Sequence, residues 1–273
     1  MSDDPNQLDA PDPWQPLRRY TVARIGLGRA GDSLPTAALL AFQHDHAQAR
    51  DAVHAALDTA ALAAQIAASG AEVLTAHSAA DSRATYLRRP DLGRALDDDS
   101  RRRLAERAAQ SPDGYAAVFV VADGLSALAA QQFAAALLAL VGAGLGERGW
   151  SLGPVVVVEQ GRVAIGDEIG ALLGAEQVAV LIGERPGLSV ADSLGVYLTY
   201  APRPGRSDAE RNCISNIHPQ GLSCPAAADS LIYLMDQARR RRLTGVALKD
   251  DRATLEGGDQ DSGFRIQDSE GGK

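Results

Sequence analysis

The chain has 273 residues and a net charge of -8; 45% of its residues are hydrophobic and 4% aromatic. That length holds one large domain or two small ones with a sizeable core, and the negative charge argues against nucleic acid or an anionic membrane as partner. No apolar run approaches the ~20 residues a membrane span needs, and Cys213 and Cys224 have neither zinc nor CxxC spacing, so a cytosolic, reduced protein without a metal site is expected.

Residues 1–17, with prolines at 5, 11, 13 and 16, read as a disordered or partner-bound arm. The Met1-Ser-Asp-Asp-Pro start is unlike a secretory signal. Residues 18–114 read as a mainly helical N-terminal region. Within it Thr21–Ile25 is a short extended stretch, and a helix opens at Pro35, whose fixed backbone angle suits a first turn. A further Ala-rich helical region runs through about Ile66. The segment Tyr86–Arg94 reads as a loop between helices, because Pro90 disfavours helix at the residue before it.

Residues 115–248 change pattern. Apolar runs at Ala116–Val121, Pro154–Val158 and Val178–Ile182 predict buried strands, and Leu194–Tyr200 a fourth extended segment. Between them lie a long Ala/Leu helix, Ala127–Leu145, and an amphipathic helix, Ile165–Leu173. Pro225–Arg241 closes as a helix whose last-turn arginines oppose the helix dipole favourably. Strands alternating with helices predict an α/β fold, Rossmann-like, with a mostly parallel sheet covered by helices and preceded by the helical region. Residues 249–273 read as a flexible acidic tail.

Several groups invite a functional reading. Gly26-x-Gly28-x-x-Gly31 matches the dinucleotide fingerprint as a string, with Asp45 or Asp51 at roughly the ribose-binding distance. A nucleotide-binding α/β oxidoreductase is therefore the alternative function. Against it, Asp32-Ser-Leu-Pro intervenes before the helix that should hold the pyrophosphate, and a glycine turn before a proline-started helix is favoured. Asp123-Gly-Leu-Ser126 ends an apolar strand, where ligands gather in open sheets; Ser126 as a helix cap is the simpler reading. The five histidines, His44, His46, His54, His77 and His218, form no readable triad, and His44 and His46 point to different sides of a helix. Glu184-Arg185 follows a buried strand, so its charges either pair with each other or face a ligand. The segment Arg211–His218, with Cys213 and Asn216, suits a loop or helix start lining a polar ligand. Cys213 reads as a nucleophile lacking a base or, more commonly, as a small buried thiol.

At these residues the chain resembles the ethanolamine ammonia-lyase small-subunit family, from about Arg18 to about Leu248. The matching pieces are Thr21-Val-Ala-Arg with Gly28-Arg-Ala-Gly31, Tyr86-Leu-x-Arg-Pro-Asp-Leu-Gly-Arg94 and Asp123-Gly-Leu-Ser126. They continue with Gly161-Arg-Val163, Ile182-Gly-Glu-Arg-Pro-Gly-Leu188 and Cys213-Ile-Ser-Asn-Ile-His218. The resemblance implies a non-catalytic subunit that covers part of adenosylcobalamin and joins a large catalytic subunit, a TIM barrel, to convert ethanolamine to acetaldehyde and ammonia. It maps cofactor contacts onto Val163, Glu184 and Cys213, and no catalytic or metal residue onto this chain. Cobalamin would keep its own lower base, since no histidine here fits the Asp-x-His-x-x-Gly pattern that replaces it. The cluster Arg88, Arg89 and Arg94 either faces the large subunit or is solvated and internally paired. The resemblance also allows a setting in a bacterial microcompartment, although the arm lacks the amphipathic pattern that addresses enzymes there.

Overall fold

The computed structural model describes residues 12–21 and 23–252. The sheet has six strands: β1 (Val73–His77), β2 (Tyr115–Ala122), β3 (Leu152–Glu159), β4 (Ala175–Gly183), β5 (Leu194–Tyr200) and β6 (Asn212–Ile217). The helices are α1 (Thr36–His54), α2 (Thr59–Ala67), α3 (Arg83–Arg88), α4 (Asp98–Ala108), α5 (Ala127–Gly146), α6 (Ile165–Leu172) and α7 (Cys224–Arg241). The strand order is β1-β3-β2-β4-β5-β6. The first four of these are parallel to their neighbours, and β5 and β6 add an antiparallel edge.

The apolar runs at 116–121, 154–158 and 178–182 form β2, β3 and β4. They are apolar at every position because both faces are covered. On one face Ala117, Phe119, Val121, Val157 and Leu181 pack with α2, α5 and α7. On the other Val118, Val120, Val156, Val158, Val178 and Val180 pack with Leu104 of α4 and Ile165 and Ile169 of α6. Each such valine, taken fully from water, contributes about 1.5–3 kcal/mol.

The helix ends follow local chemistry. The Asp97 side chain accepts from the Ser100 N–H at 2.7 Å, with Asp98 and Asp99 in the first turn of α4. Arg239, Arg240 and Arg241 close α7, and Arg242 turns the chain left-handed at φ 56°. Helix α1 starts one residue after Pro35, and Ala52 is its buried residue.

Several sequence expectations need correction. In the stretch expected to be extended, Thr21 and Ala23–Ile25 form no strand, and Val22 lies outside the described residues. The segment 86–94 is not simply a loop. Ser82 caps α3 through the Thr85 N–H, the helix runs to Arg88, and Pro90 limits only its end before a short turn at Leu92–Arg94. Arg211–His218 holds a strand rather than a loop or helix start: Ile214 and Ile217 both reach the core, because a register irregularity at left-handed Asn216 lies between them, while Cys213 and Ser215 are exposed. Helix α5 is also long and apolar enough to cross a membrane, contrary to the reading that no run approaches that length. In this fold it lies on the sheet beside α7 and buries Phe133, Leu137, Val141 and Leu145. The strand β1, inside the segment expected to be mainly helical, joins the sheet beside β3. Most of the acidic tail and the first eleven residues lie outside the described residues.

Gly183 fits β4 only because it has no side chain: a Cβ there would overlap the carbonyl groups of Ser126 and Asp123. In contrast, a Cβ at Gly142, inside α5, would meet open space. Gly183→Ala should therefore destabilise the protein by about 3 kcal/mol through overpacking. Gly142→Ala should stabilise it by about 0.5–1 kcal/mol through helix propensity. Urea melts of the two variants beside the parent check both signs.

Candidate functional site

At β2 the chain's order reverses: β3 is laid on one side through α5 and β4 on the other through α6. The carboxyl ends of strands at such a reversal are where open sheets bind ligands. Asp123, 3% exposed, occupies that end. Its carboxylate accepts from the backbone N–H groups of Gln160 at 3.0 Å and Gly161 at 3.1 Å. Arg83 faces it at 3.5 Å and donates to the carbonyls of Val53 at 2.7 Å and Gly124 at 2.8 Å. Burial pushes the Asp123 carboxyl up from its ordinary range, against the pull of those donors and Arg83.

Tyr86 is fully buried beneath this loop and donates to the Gly161 carbonyl at 3.2 Å. Arg83 and Arg162 lie over its ring, at 4.7 and 4.4 Å. Arg162 is held at both ends of the neighbouring motif: its N–H donates to Gly93 at 2.8 Å and its guanidinium to Tyr86 at 3.0 Å. The Tyr86–Arg94, Asp123–Ser126 and Gly161–Val163 segments thus share one hydrogen-bonded knot that sets the Gln160–Ala164 loop. Val163 follows it, half-buried against the apolar cluster on the α6 face.

Glu184 leaves β4 immediately beyond this knot, since the Leu125 N–H donates to the Gly183 carbonyl at 2.9 Å. Its carboxylate is aimed by two donors on Oε2, the Ser193 hydroxyl at 2.5 Å and the Asn216 N–H at 3.2 Å. Oε1 lies over Gly195 and accepts no hydrogen bond among the described residues. Arg185 is exposed, and it makes no ion pair with Glu184 among the described residues. The Ser126 hydroxyl does not cap α5; it donates to the Ala191 carbonyl at 2.9 Å and so ties down the loop after Glu184. Its burial explains why: with 0% exposure the hydroxyl needs a partner, and Ala191 is the one in reach.

Cys213 sits opposite Tyr197 across the β5–β6 pair. It is exposed, which corrects the expectation of a small buried thiol; β6 is an edge strand and this face of it is left uncovered. Desolvation pushes the thiol pKa up, the Glu184 charge acts in the same direction, and the neighbouring Tyr197 hydroxyl opposes them. The thiol therefore stays protonated at neutral pH, which suits contact rather than nucleophilic attack. His218 is buried and bonded through Nε2 to Asn216 Oδ1 at 2.7 Å. His44 and His46 are exposed on α1. Among the described residues no three His, Cys, Asp or Glu side chains gather as for a metal ion.

β6 is anchored by a pair that local sequence patterns do not reveal. Arg211 donates to both oxygens of Asp167 in α6, at 2.6 and 2.7 Å, with both side chains 2% exposed. It also donates to Thr199 Oγ1 at 2.9 Å and to the Arg206 carbonyl at 3.0 Å. Burial works against the Arg211 charge, and Asp167 more than offsets it, so its pKa lies above the ordinary value. The two residues are 44 positions apart; only the packing of α6 against the sheet brings them together. Ser193, Tyr197 and Arg83 were likewise missed, having no spacing that marks them.

The remaining candidates behave differently. Gly26–Gly31 follows no strand among the described residues, and the Gly28 N–H is taken by Asp12 at 3.1 Å, so the strand–loop–helix setting of a dinucleotide site is absent there. The arginine cluster is partly paired: Arg89 binds Asp91 at 2.7 Å, and Arg88 donates to the Ala84 carbonyl at 3.1 Å.

The family model described as "Ethanolamine ammonia-lyase light chain (EutC)" matches residues 11–249. The chain is 59% identical over 239 residues to the "Ethanolamine ammonia-lyase small subunit" of Ralstonia nicotianae, covering 88% of each. It is 55% identical over 266 residues to the protein of the same name from Pseudomonas syringae pv. tomato, covering 95% of this chain and 93% of that one. With the one from Azotobacter vinelandii the identity is 58% over 240 residues, 88% and 89% covered.

Asp167→Ala leaves Arg211 buried without its partner and should cost about 3–5 kcal/mol in urea unfolding, whereas an Asp167→Leu, Arg211→Met double variant should recover much of that loss. The turn before Arg211 predicts a pH effect. Glu210 accepts from the Ser207 N–H and from Arg206 and Ser207 side chains, which hold its pKa at about 2 instead of 4.5. Its folded value is depressed, so its stabilisation is complete above pH 4.5 and fades as the pH falls toward 2. The melting-temperature gap between the parent and Glu210→Gln should accordingly be largest at neutral pH and close on acidification.

Proposed function

This chain belongs to the ethanolamine ammonia-lyase light-chain family, and we propose that it is the non-catalytic subunit that holds one side of adenosylcobalamin against a large catalytic subunit. As a small subunit of that lyase it would serve the conversion of ethanolamine to acetaldehyde and ammonia. The observation that carries the cofactor reading is the free Oε1 of Glu184, aimed by Ser193 and Asn216 on the face that also carries exposed Cys213.

The donor set fits the group. Cobalamin is edged with amide side chains, whose N–H groups a carboxylate accepts strongly. Glu184 would take such an N–H on Oε1, since Oε2 is already engaged. Val163 would supply an apolar wall and backbone groups at the end of the Gln160–Ala164 loop. Cys213, kept neutral, would offer packing without competing chemistry. When bound, the cofactor supplies the radical chemistry, and the protein positions it.

The large subunit has a face to cover. Leu39, Leu40 and Phe42 of α1 are 42, 58 and 40% exposed, and Trp14 and Tyr20 beside the helix's N-terminal approach are 64 and 72% exposed. Apolar surface of that kind marks a partner site, and we assign it to the large subunit. The two cysteines are unpaired thiols, in keeping with the proposed cytoplasmic setting.

Co-expression with the large subunit should yield a complex whose ethanolamine deamination requires adenosylcobalamin and both chains. Glu184→Ala in that complex should weaken cobalamin binding by about 1–3 kcal/mol, read by equilibrium dialysis; unchanged affinity would remove Glu184 from the contact set. A Leu40→Asp, Phe42→Asp variant should keep its circular dichroism but lose capture of the large subunit. Undiminished capture would place the docking face elsewhere.

A further inference from the structure

Between two of the proposed cofactor contacts, Glu184 and Cys213, stands a residue that is not among the three. Tyr197 lies on the α6 side of β5, opposite Val180 on one neighbour and Cys213 on the other. Its ring packs against the same apolar cluster that Val163 joins. Helix α6 covers the sheet as far as β4, where a Cβ on Gly166 would press on Val180. Tyr197 is the next residue outward and is half-buried, while Cys213 beyond it is exposed. The ring therefore forms the margin between the covered and uncovered parts of the sheet.

Its polar end is equally placed. Gly195 precedes Tyr197 by two residues on the same side of β5, and its missing side chain leaves room for the Glu184 carboxylate to lie over the strand. Oε1 of Glu184 and the Tyr197 hydroxyl thus belong to one ledge, and the Glu184 charge acts on the phenol. Cys213 pairs opposite Tyr197 across β5 and β6, and the Tyr197 hydroxyl makes no hydrogen bond among the described residues, so it is available to a carbonyl oxygen.

Resting on the cofactor reading above, we propose that Tyr197 and Glu184 form a carboxamide-recognising pair, the Tyr197 hydroxyl donating to the C=O and Glu184 Oε1 accepting from the N–H of an amide side chain on the cobalamin edge. A primary carboxamide carries a donor and an acceptor on one carbon, and the ledge presents an acceptor and a donor in return. Desolvation, the Cys213 thiol and the Glu184 charge all raise the phenol pKa, so the hydroxyl keeps the proton it must donate. A carboxylate in place of that amide would have no N–H to give and would meet the Glu184 charge.

The test uses the two-subunit complex, with cyanocobalamin and its corrin-edge monocarboxylic acids as probes, binding being read by equilibrium dialysis. Tyr197→Phe, which keeps the ring, should leave the melting temperature unchanged and weaken cyanocobalamin binding about three- to tenfold. With the parent complex, one monoacid should bind markedly more weakly than cyanocobalamin, and Glu184→Gln should narrow that gap. If Tyr197→Phe binds like the parent and every monoacid binds alike, while Glu184→Ala still weakens binding, the pair is overturned and the cofactor reading stands. If Glu184→Ala has no effect either, the cofactor reading falls with it. The parent comparison of amide and acid needs no variant, so it decides the matter even where a substitution harms folding.

Discussion

The buried carboxylate of Asp123 holds together the end of the sheet on which the rest of the site is built. Its two oxygens take the N–H groups of Gln160 and Gly161, and Arg83 stands against it while reaching the carbonyls of Val53 and Gly124. This ion pair thereby sets the loop after β3, the loop after β2 and the end of α1. A carboxylate in this position is tolerable because its lone pairs are engaged and a cation faces it; burial still raises its pKa. The neighbouring close contact between Gly183 and the Asp123–Ser126 turn transmits the same register to β4 and hence to Glu184.

A second buried charge serves the outer strands. Arg211 locks to Asp167 and Thr199 just before Cys213, so β6 cannot drift from α6. Between these two anchors the carboxylate of Glu184 has little freedom, because Ser193 and Asn216 from different segments both donate to the same oxygen. The result is a preorganised polar ledge on a rigid sheet. Preorganisation of this kind reduces the ordering cost that any ligand of such a ledge meets on binding.

Much of the fold was legible beforehand for a simple reason. β2, β3 and β4 are buried on both faces, so their runs are apolar at every position, and the alanine-rich segments between them have strong helix propensity. Edge elements were harder. β6 is rich in small polar residues without strict alternation, which looks like turn chemistry until a register irregularity brings both Ile214 and Ile217 to the core. α3 was hidden by a proline that ends the helix rather than preventing it. Ser126 was read as a cap from its position, but its hydroxyl serves a carbonyl 65 residues away.

By itself, the amino-acid order determined the alternation of buried strands and helices and the motif pieces that mark the light-chain family. Those properties are local: they depend on side-chain volume, backbone propensity and short spacing. Only the tertiary structure decided that Asp167 meets Arg211, that Ser193 and Asn216 aim Glu184, and that Tyr197 stands beside it. These are contacts between residues brought together by strand pairing and helix packing, and the burial and partners of a side chain, which set its charge and hydrogen bonds, exist only once that packing has formed.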